Sequence, residues 1–322
     1  MKVAVIGAGL AGMASACYLL VNRYDVKVHI FDPKGIGEGG ASKVASGLLH
    51  PYPGEKGRRS LHAKEALTAA HFLLGLAQKY TEKKFFTQGV LRRAMTAEQK
   101  EIFVKHMSEH QDISLEGCLE NGFMDFAIQS GITVSIPEYL QSLWKFCSSL
   151  GALLHREKIS DPSKLNHFDR IIIAAGAGIK ELPQGDKLPL KYIKGQILIA
   201  RSKISVPHKS IIGKGYAAAS PLDDNFHLGS TYEHYFSNAF PNSSEAEKII
   251  VPRLKTFLPW ADQMDILGCQ AGIRVANRNH YFPMVKKVTD RCLVVTGLGS
   301  RGLLYHGLLG KKAAEEILQT PH

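Results

Sequence analysis

Lys2-Val3-Ala4-Val5-Ile6-Gly7-Ala8-Gly9-Leu10-Ala11-Gly12 follows the initial Met1, and its reading decides the fold. Residues 2–6 are β-branched and apolar and run straight into glycine, which predicts a short buried parallel strand. Gly7, Gly9 and Gly12 then stand in G-x-G-x-x-G spacing before a helix-patterned stretch that ends near Val21. Residues 25–31 alternate into a second strand, and Asp32 closes it about 20 residues past the last glycine. Each glycine has a task. Gly7 permits the tight turn, Gly9 lets backbone approach a pyrophosphate, and Gly12 lets helix pack on strand. The helix N-terminus offers N–H donors to the anion, so Ala8, Leu10 and Ala11 belong to the same cradle. Asp32 can accept hydrogen bonds from a ribose diol. Strand, glycines, helix and acid in this order predict a dinucleotide site, without separating FAD from NAD.

The rest of the chain sets limits on that reading. A length of 322 residues implies about two domains and enough chain for a sizeable core. Hydrophobic residues make up 45% and charged residues 21%, as in ordinary globular proteins. Five cysteines (Cys17, Cys118, Cys147, Cys269, Cys292) form no Cys-x-x-Cys pair. This argues against a disulfide framework or a cysteine zinc site and fits a reducing compartment. The apolar run from Val3 to Val21 superficially resembles a signal segment, but its three glycines weaken such a helix and belong to the motif. No other stretch approaches the ~20 apolar residues that span a bilayer, so a cytoplasmic chain without membrane contact is expected.

The net charge is +11, with basic clusters at Lys56-Gly57-Arg58-Arg59, Arg92-Arg93, Lys286-Lys287 and Lys311-Lys312. These are either a basic solvated surface or a field for a polyanion such as RNA. His50, His234, His280 and His306 lie near motifs, but none shows spacing such as H-E-x-x-H, so no metal is expected.

The loop Gly39-Gly40-Ala41-Ser42-Lys43-Val44-Ala45-Ser46-Gly47-Leu48-Leu49-His50-Pro51 is dense in small residues that let backbone lie against a ligand. Ser42 and Ser46 can donate to phosphate. Following Asp32 so closely, this loop resembles that of the D-amino-acid oxidase superfamily, the glycine oxidase and sarcosine oxidase group of flavoproteins. The resemblance covers nearly the whole chain. Residues 132–140 with the following helix, 170–178 (Arg-Ile-Ile-Ile-Ala-Ala-Gly-Ala-Gly), Lys194-Gly195-Gln196 and 227–233 (His-Leu-Gly-Ser-Thr-Tyr-Glu) match family segments in order. Gly178 departs from the pattern, standing where an aromatic is common.

What the resemblance implies is specific. FAD is bound non-covalently, since no cysteine adjoins Arg274 or the Gly299–Gly302 loop. Its contacts come from the glycine motif, Asp32, Ser42, Ala45, Ser46, Gly47, Leu48, Ala175, Gly176, Gly299, Ser300, Arg301, Gly302 and Leu303. Arg274, in Gln270-Ala-Gly-Ile-Arg274, resembles the arginine that clamps a substrate carboxylate, and Arg301 matches a second arginine near it. Tyr216 stands where relatives place a tyrosine over the substrate.

The fold expected is α/β. A Rossmann-type FAD-binding domain with a parallel sheet (1–78, 133–187, 267–322) is interleaved with an α+β substrate domain on an antiparallel sheet (79–132, 188–266). The reaction expected is oxidation of the C–N bond of a small amino acid or secondary amine, followed by imine hydrolysis. An alternative comes from 274–285 and 299–303, which look most like the C-terminal oxidoreductase domain of bifunctional tRNA-modifying enzymes. That domain removes a carboxymethyl group from carboxymethylaminomethyl-uridine, which would make tRNA the partner. A non-catalytic FAD-binding protein is the remaining reading.

Overall fold

The computed structural model describes residues 1–23, 25–280 and 282–319. Two sheets share the chain. The first holds β1 (Lys2–Ile6), β2 (Lys27–Phe31), β7 (Leu153–His155), β8 (Arg170–Ile173), β14 (Met284–Thr289) and β15 (Cys292–Thr296). Their order is β14-β15-β8-β1-β2-β7, parallel throughout except for the antiparallel edge strand β14. β1 is buried from Val3 to Ile6, as a central strand covered on both faces must be.

On one face lie α1 (Leu10–Asn22), α3 (Ala63–Gln78), α5 (Ile136–Ser149) and α7 (Gly302–Gln319). Their apolar sides, including Met13, Leu20, Leu73, Tyr139, Leu143 and Leu308, form one core with Val3, Val5 and Ile30. On the other face Ala4, Ile6, Ile171, Ile173 and Val294 pack on Phe168, Ile179 and Leu188. α1 is buried almost all round because glycines let its neighbours close in. A Cβ on Gly12 would strike the Gly7 carbonyl oxygen, and one on Gly310 of α7 would lie 2.7 Å from Ala14.

The second sheet takes β3 (Leu48–Leu49), β4 (Phe86–Ala94), β5 (Ile113–Cys118), β6 (Met124–Val134), β9 (Leu190–Ser202), β10 (Ser210–Ile212), β11 (Tyr216–Ala219), β12 (Asn225–Gly229) and β13 (Met264–Asn277). They run β13-β9-β12-β11-β10-β4-β6-β3, with β5 on β6, and only the β10–β4 pair is parallel. α6 (Ser243–Lys255) covers this sheet, with Ile250 and Leu254 set against Leu198, Ala217 and Phe226. α4 (Ala97–Glu109), started by a Thr96–Gln99 capping box, buries Phe103 against Tyr52, Phe126 and Ile128. The short α2 (Gly40–Lys43) sits in the small-residue loop.

A parallel and an antiparallel sheet interleaved along one chain is the architecture the sequence leads to. β13 runs through the expected domain boundary at 266/267, pairing with β9 from Met264 to Asn277.

One basic cluster needs correction. Arg92 and Arg93 are not surface charges: they are 1% and 8% exposed. Arg92 donates to the carbonyls of Gly213, Gly54 and Glu55, and burial pulls its pKa down to about 10. Arg93 makes a bidentate pair with Asp125 at 2.7 and 2.6 Å. Sequence adjacency hid this because successive strand residues point to opposite faces, and both faces of β4 are covered here.

Candidate active site

Between the sheets opens a cleft of about 690 Å³, within the range of small-molecule and cofactor sites. Its first wall is the end of β1 and the start of α1, where Gly7, Gly9, Leu10 and Ala11 line it. Gly7 has φ +109°, and a Cβ there would collide with the Ala174 carbonyl. Ala8 and Gly12 do not line the cleft. Ala8 donates its N–H to Asp32 Oδ2 at 3.0 Å, and Gly12 serves the helix–strand contact. Asp32 Oδ1 accepts from Lys34 N and Gly35 N at 2.9 and 3.2 Å. The carboxylate is thus fixed at the tip of β2 with acceptor capacity left for a diol.

Ser42, Ala45, Ser46, Gly47 and Leu48 form the next wall. Ser42 Oγ accepts from Leu10 N at 3.1 Å, so it braces the glycine turn while keeping a hydroxyl proton to donate. A Cβ on Gly9 would lie 2.7 Å from that oxygen. Gly47, at φ +76°, presses on the Val134 backbone with no room for a side chain. Ala175 and Gly176 close a third side, and Gly299, Ser300, Gly302 and Leu303 bring the N-terminus of α7 to the cleft. That terminus carries the helix's partial positive charge.

Opposite lies β13. Gly272 packs against Ala41 and Val44, and two residues on, Arg274 enters the cleft. Its guanidinium lies over Gly195, where any Cβ would overlap it. Nη2 donates to Ser230 Oγ at 3.0 Å, and the guanidinium sits 5.7 Å from the Tyr232 ring centroid. Nη1 is shut off from water and has no hydrogen-bond partner. No carboxylate among the described residues forms a salt bridge with Arg274. Tyr216 also lines the cleft, its hydroxyl 2.6 Å from Ser46 Oγ and its ring pressed on Gly229. Arg301 is not brought to this lining. It sits half-buried in the turn before α7, its N–H bonded to Leu298 O at 3.0 Å.

Several lining residues carry no signal of their own in the sequence. Thr296, at the end of β15, is 3% exposed and its Oγ1 has no partner. Ser230 and Gly195 stand in segments the sequence matches to a family pattern, but their service to Arg274 appears only when β9, β12 and β13 align. Of the nearby histidines, His50 is driven down to about 3 by burial and the charges of Arg92 and Arg301. His306 falls to about 4 by burial, and its Nδ1 donates to Leu303 O while Nε2 accepts from Tyr139. Both are neutral at pH 7 and serve the interior. Among the described residues no cysteine lines the cleft.

The glycine cradle, the fixed Asp32, the helix terminus and the unpartnered Thr296 Oγ1 and Arg274 Nη1 suit an elongated anionic cofactor with space left for a small anion. Comparison with known proteins agrees. The family description "FAD dependent oxidoreductase" matches residues 2–316. The chain is 25% identical to the tRNA 5-methylaminomethyl-2-thiouridine biosynthesis bifunctional protein MnmC of Maricaulis maris, over 98% of this chain and 52% of that protein. It is 30% identical to the glycine oxidase of Pseudomonas aeruginosa over 33% of this chain and 29% of that one. The chain spans about half or less of the length of the curated relatives it matches. Among solved structures, glycine oxidase from Geobacillus kaustophilus superposes with TM-score 0.82 at 18% identity, covering 100% of this chain and 96% of that one. Iminodiacetate oxidase from Chelativorans sp. BNC1 gives 0.82 at 17%, covering 99% and 96%. These two share the fold.

Proposed function

Because the chain belongs to the family of FAD-dependent oxidoreductases across residues 2–316, we propose that it oxidises the carbon–nitrogen bond of a small carboxylated amine. FAD is the cofactor of this family, and the glycine turn, Asp32, the 42–48 loop and the start of α7 would hold it. Bound FAD supplies a two-electron acceptor for a hydride from the carbon bearing nitrogen.

The observation that carries the reading is Arg274: a cleft arginine with a buried, unpartnered Nη1 and no protein carboxylate to neutralise it. Shut off from water, that N–H is left unsatisfied, and a ligand carboxylate would relieve it by a charge-assisted pair. Ser230 holds the guanidinium in place, and Tyr216, steadied by Ser46, bounds the space beside it. The substrate nitrogen contributes its lone pair to a C=N bond as hydride leaves carbon, its proton passes to water, and water hydrolyses the imine. Positioning does most of this work, for among the described residues no histidine lines the cleft.

A second reading is favoured by the nearly full-length likeness to the tRNA-modifying proteins: a glycine-like amine borne on tRNA would use the same clamp. Anaerobic mixing with glycine, sarcosine, D-alanine and total tRNA, followed by flavin absorbance, tests both. Bleaching by a free amino acid supports the first, and bleaching by tRNA alone overturns it. An oxidised spectrum with every carboxylated amine would refute the reading of Arg274.

A further inference from the structure

We propose that His106, Glu109 and His110, on the last turn of α4 and the residue that ends it, form a binding site for a divalent metal ion of the zinc class. None of the three lines the cleft, and the site is independent of the oxidation proposed there. Positions i, i+3 and i+4 share one helix face, and one donor atom from each residue lies within 4.8 Å of the other two. Two imidazoles and a carboxylate are a borderline-soft donor set of the kind zinc takes, with water as a fourth ligand.

A second observation points to an ion. His106 is 9% exposed and its Nε2 donates to the Gly57 carbonyl at 3.0 Å. That bond fixes the tautomer and leaves Nδ1 as a bare lone pair, which is closed off from water and has no partner. A histidine held through one nitrogen by a backbone carbonyl, with the other nitrogen free, has the outer-sphere arrangement of a metal ligand.

Donors on a tetrahedral ion with bonds of about 2.1 Å stand roughly 3.4 Å apart, so the cluster must tighten by up to about 1.4 Å. Glu109 and His110 can supply the movement: their side chains are 46% and 28% exposed, and Glu109 is otherwise paired at 3.7 Å with the exposed Lys105. Around the site, Arg59 from the preceding segment is neutralised by Asp112 at 2.8 Å, and the Tyr52 ring lies tilted against His106 with centroids 4.8 Å apart. The ion would clamp the segment holding Gly57, and with it Arg58 and Arg59, onto α4.

The test uses untagged FAD-loaded protein, stripped of metal by chelation and titrated with zinc chloride by calorimetry in a non-coordinating buffer. One zinc per chain with micromolar or tighter affinity is expected, with a rise in melting temperature. His110→Ala, at a half-exposed position, should weaken binding at least tenfold and abolish the melting shift while retaining FAD. His106→Ala should do the same, with FAD retention checking its fold. His234→Ala should bind as the parent does. Millimolar affinity in the parent, or equal affinity in the parent and His110→Ala, overturns the site.

Discussion

At the scale of single residues the site turns on Arg274. Arg274→Ala should weaken binding of a carboxylated substrate by about 2–5 kcal/mol, and Arg274→Lys should lose less, since it restores charge without the planar fork. Unchanged affinity in steady-state or flavin-reduction assays would remove Arg274 from the site. His306 gives a pH prediction. Its folded pKa of about 4 lies below the ordinary value of 6.5, so the unfolded chain takes up the proton first. The stability it contributes is complete above the unfolded pKa and is lost as pH falls from there toward 4, about 2 kcal/mol between pH 7 and pH 5. Urea unfolding of His306→Gln should show a pH slope shallower by that amount; equal slopes would mean the imidazole is not neutral and buried. Arg274 and Tyr216, which both line the cleft, were singled out through the family resemblance of their segments. Thr296 and Ser230 were not, because their roles arise only when distant strands meet. His106-Met107-Ser108-Glu109-His110 carries its spacing openly but stands outside every motif that reads on the cofactor.

At the scale of elements, glycines decide how closely helices and loops approach. Gly75 and Gly310 both lie inside helices, yet only Gly310 faces a neighbour. Gly75→Ala, with nothing within 4 Å, should stabilise by about 0.5–1 kcal/mol through helix propensity. Gly310→Val should destabilise by about 1–3 kcal/mol, since a branched side chain must push α7 off Ala14 of α1. Thermal unfolding that shows both variants stabilised would refute that close contact. Gly9→Val places its branch against Ser42 Oγ and the pyrophosphate path, and equilibrium dialysis should show FAD binding abolished. α1 and α3 were legible from local helical patterning, although neither has a side-chain cap, whereas α4 with its Thr96–Gln99 capping box was not read. The edges of the second sheet read poorly: β3 has two residues, and nothing near Leu48 announces its pairing with Thr133 across the chain.

At the scale of the whole molecule, the charge of +11 is less concentrated than its sequence suggests. Arg92 and Arg93 serve the interior and Arg59 is half-buried against Asp112, which leaves Lys56, Arg58, Lys286 and Lys311 among the exposed members of the clusters, Lys56 and Lys311 in loose surface pairs with Glu98 and Glu315. Neutralising these four should leave turnover of a free amino acid unchanged and only weakly dependent on salt. Substrate tRNA would instead show affinity falling steeply with salt in the parent and lost in the variant. Among the described residues no helix is long and apolar enough to cross a membrane.

The β9–β13 ladder has a mechanical consequence. It pairs Gly272 with Gly195 and Arg274 with Ile193, which lays the guanidinium over Gly195, and continues to Leu190 and Asn277, with Ala276 bridged to Leu298 just before α7. Floor and clamp therefore move as one beam, tied to the start of α7 by the Ala276–Leu298 bridge, which opposes a clam-shell opening of the cleft. Access for substrate is then left to side-chain movement, such as that of the exposed Tyr232 beside the Arg274 guanidinium. Small-angle scattering should then give the same radius of gyration with and without a bound carboxylate inhibitor, however fast the enzyme turns over.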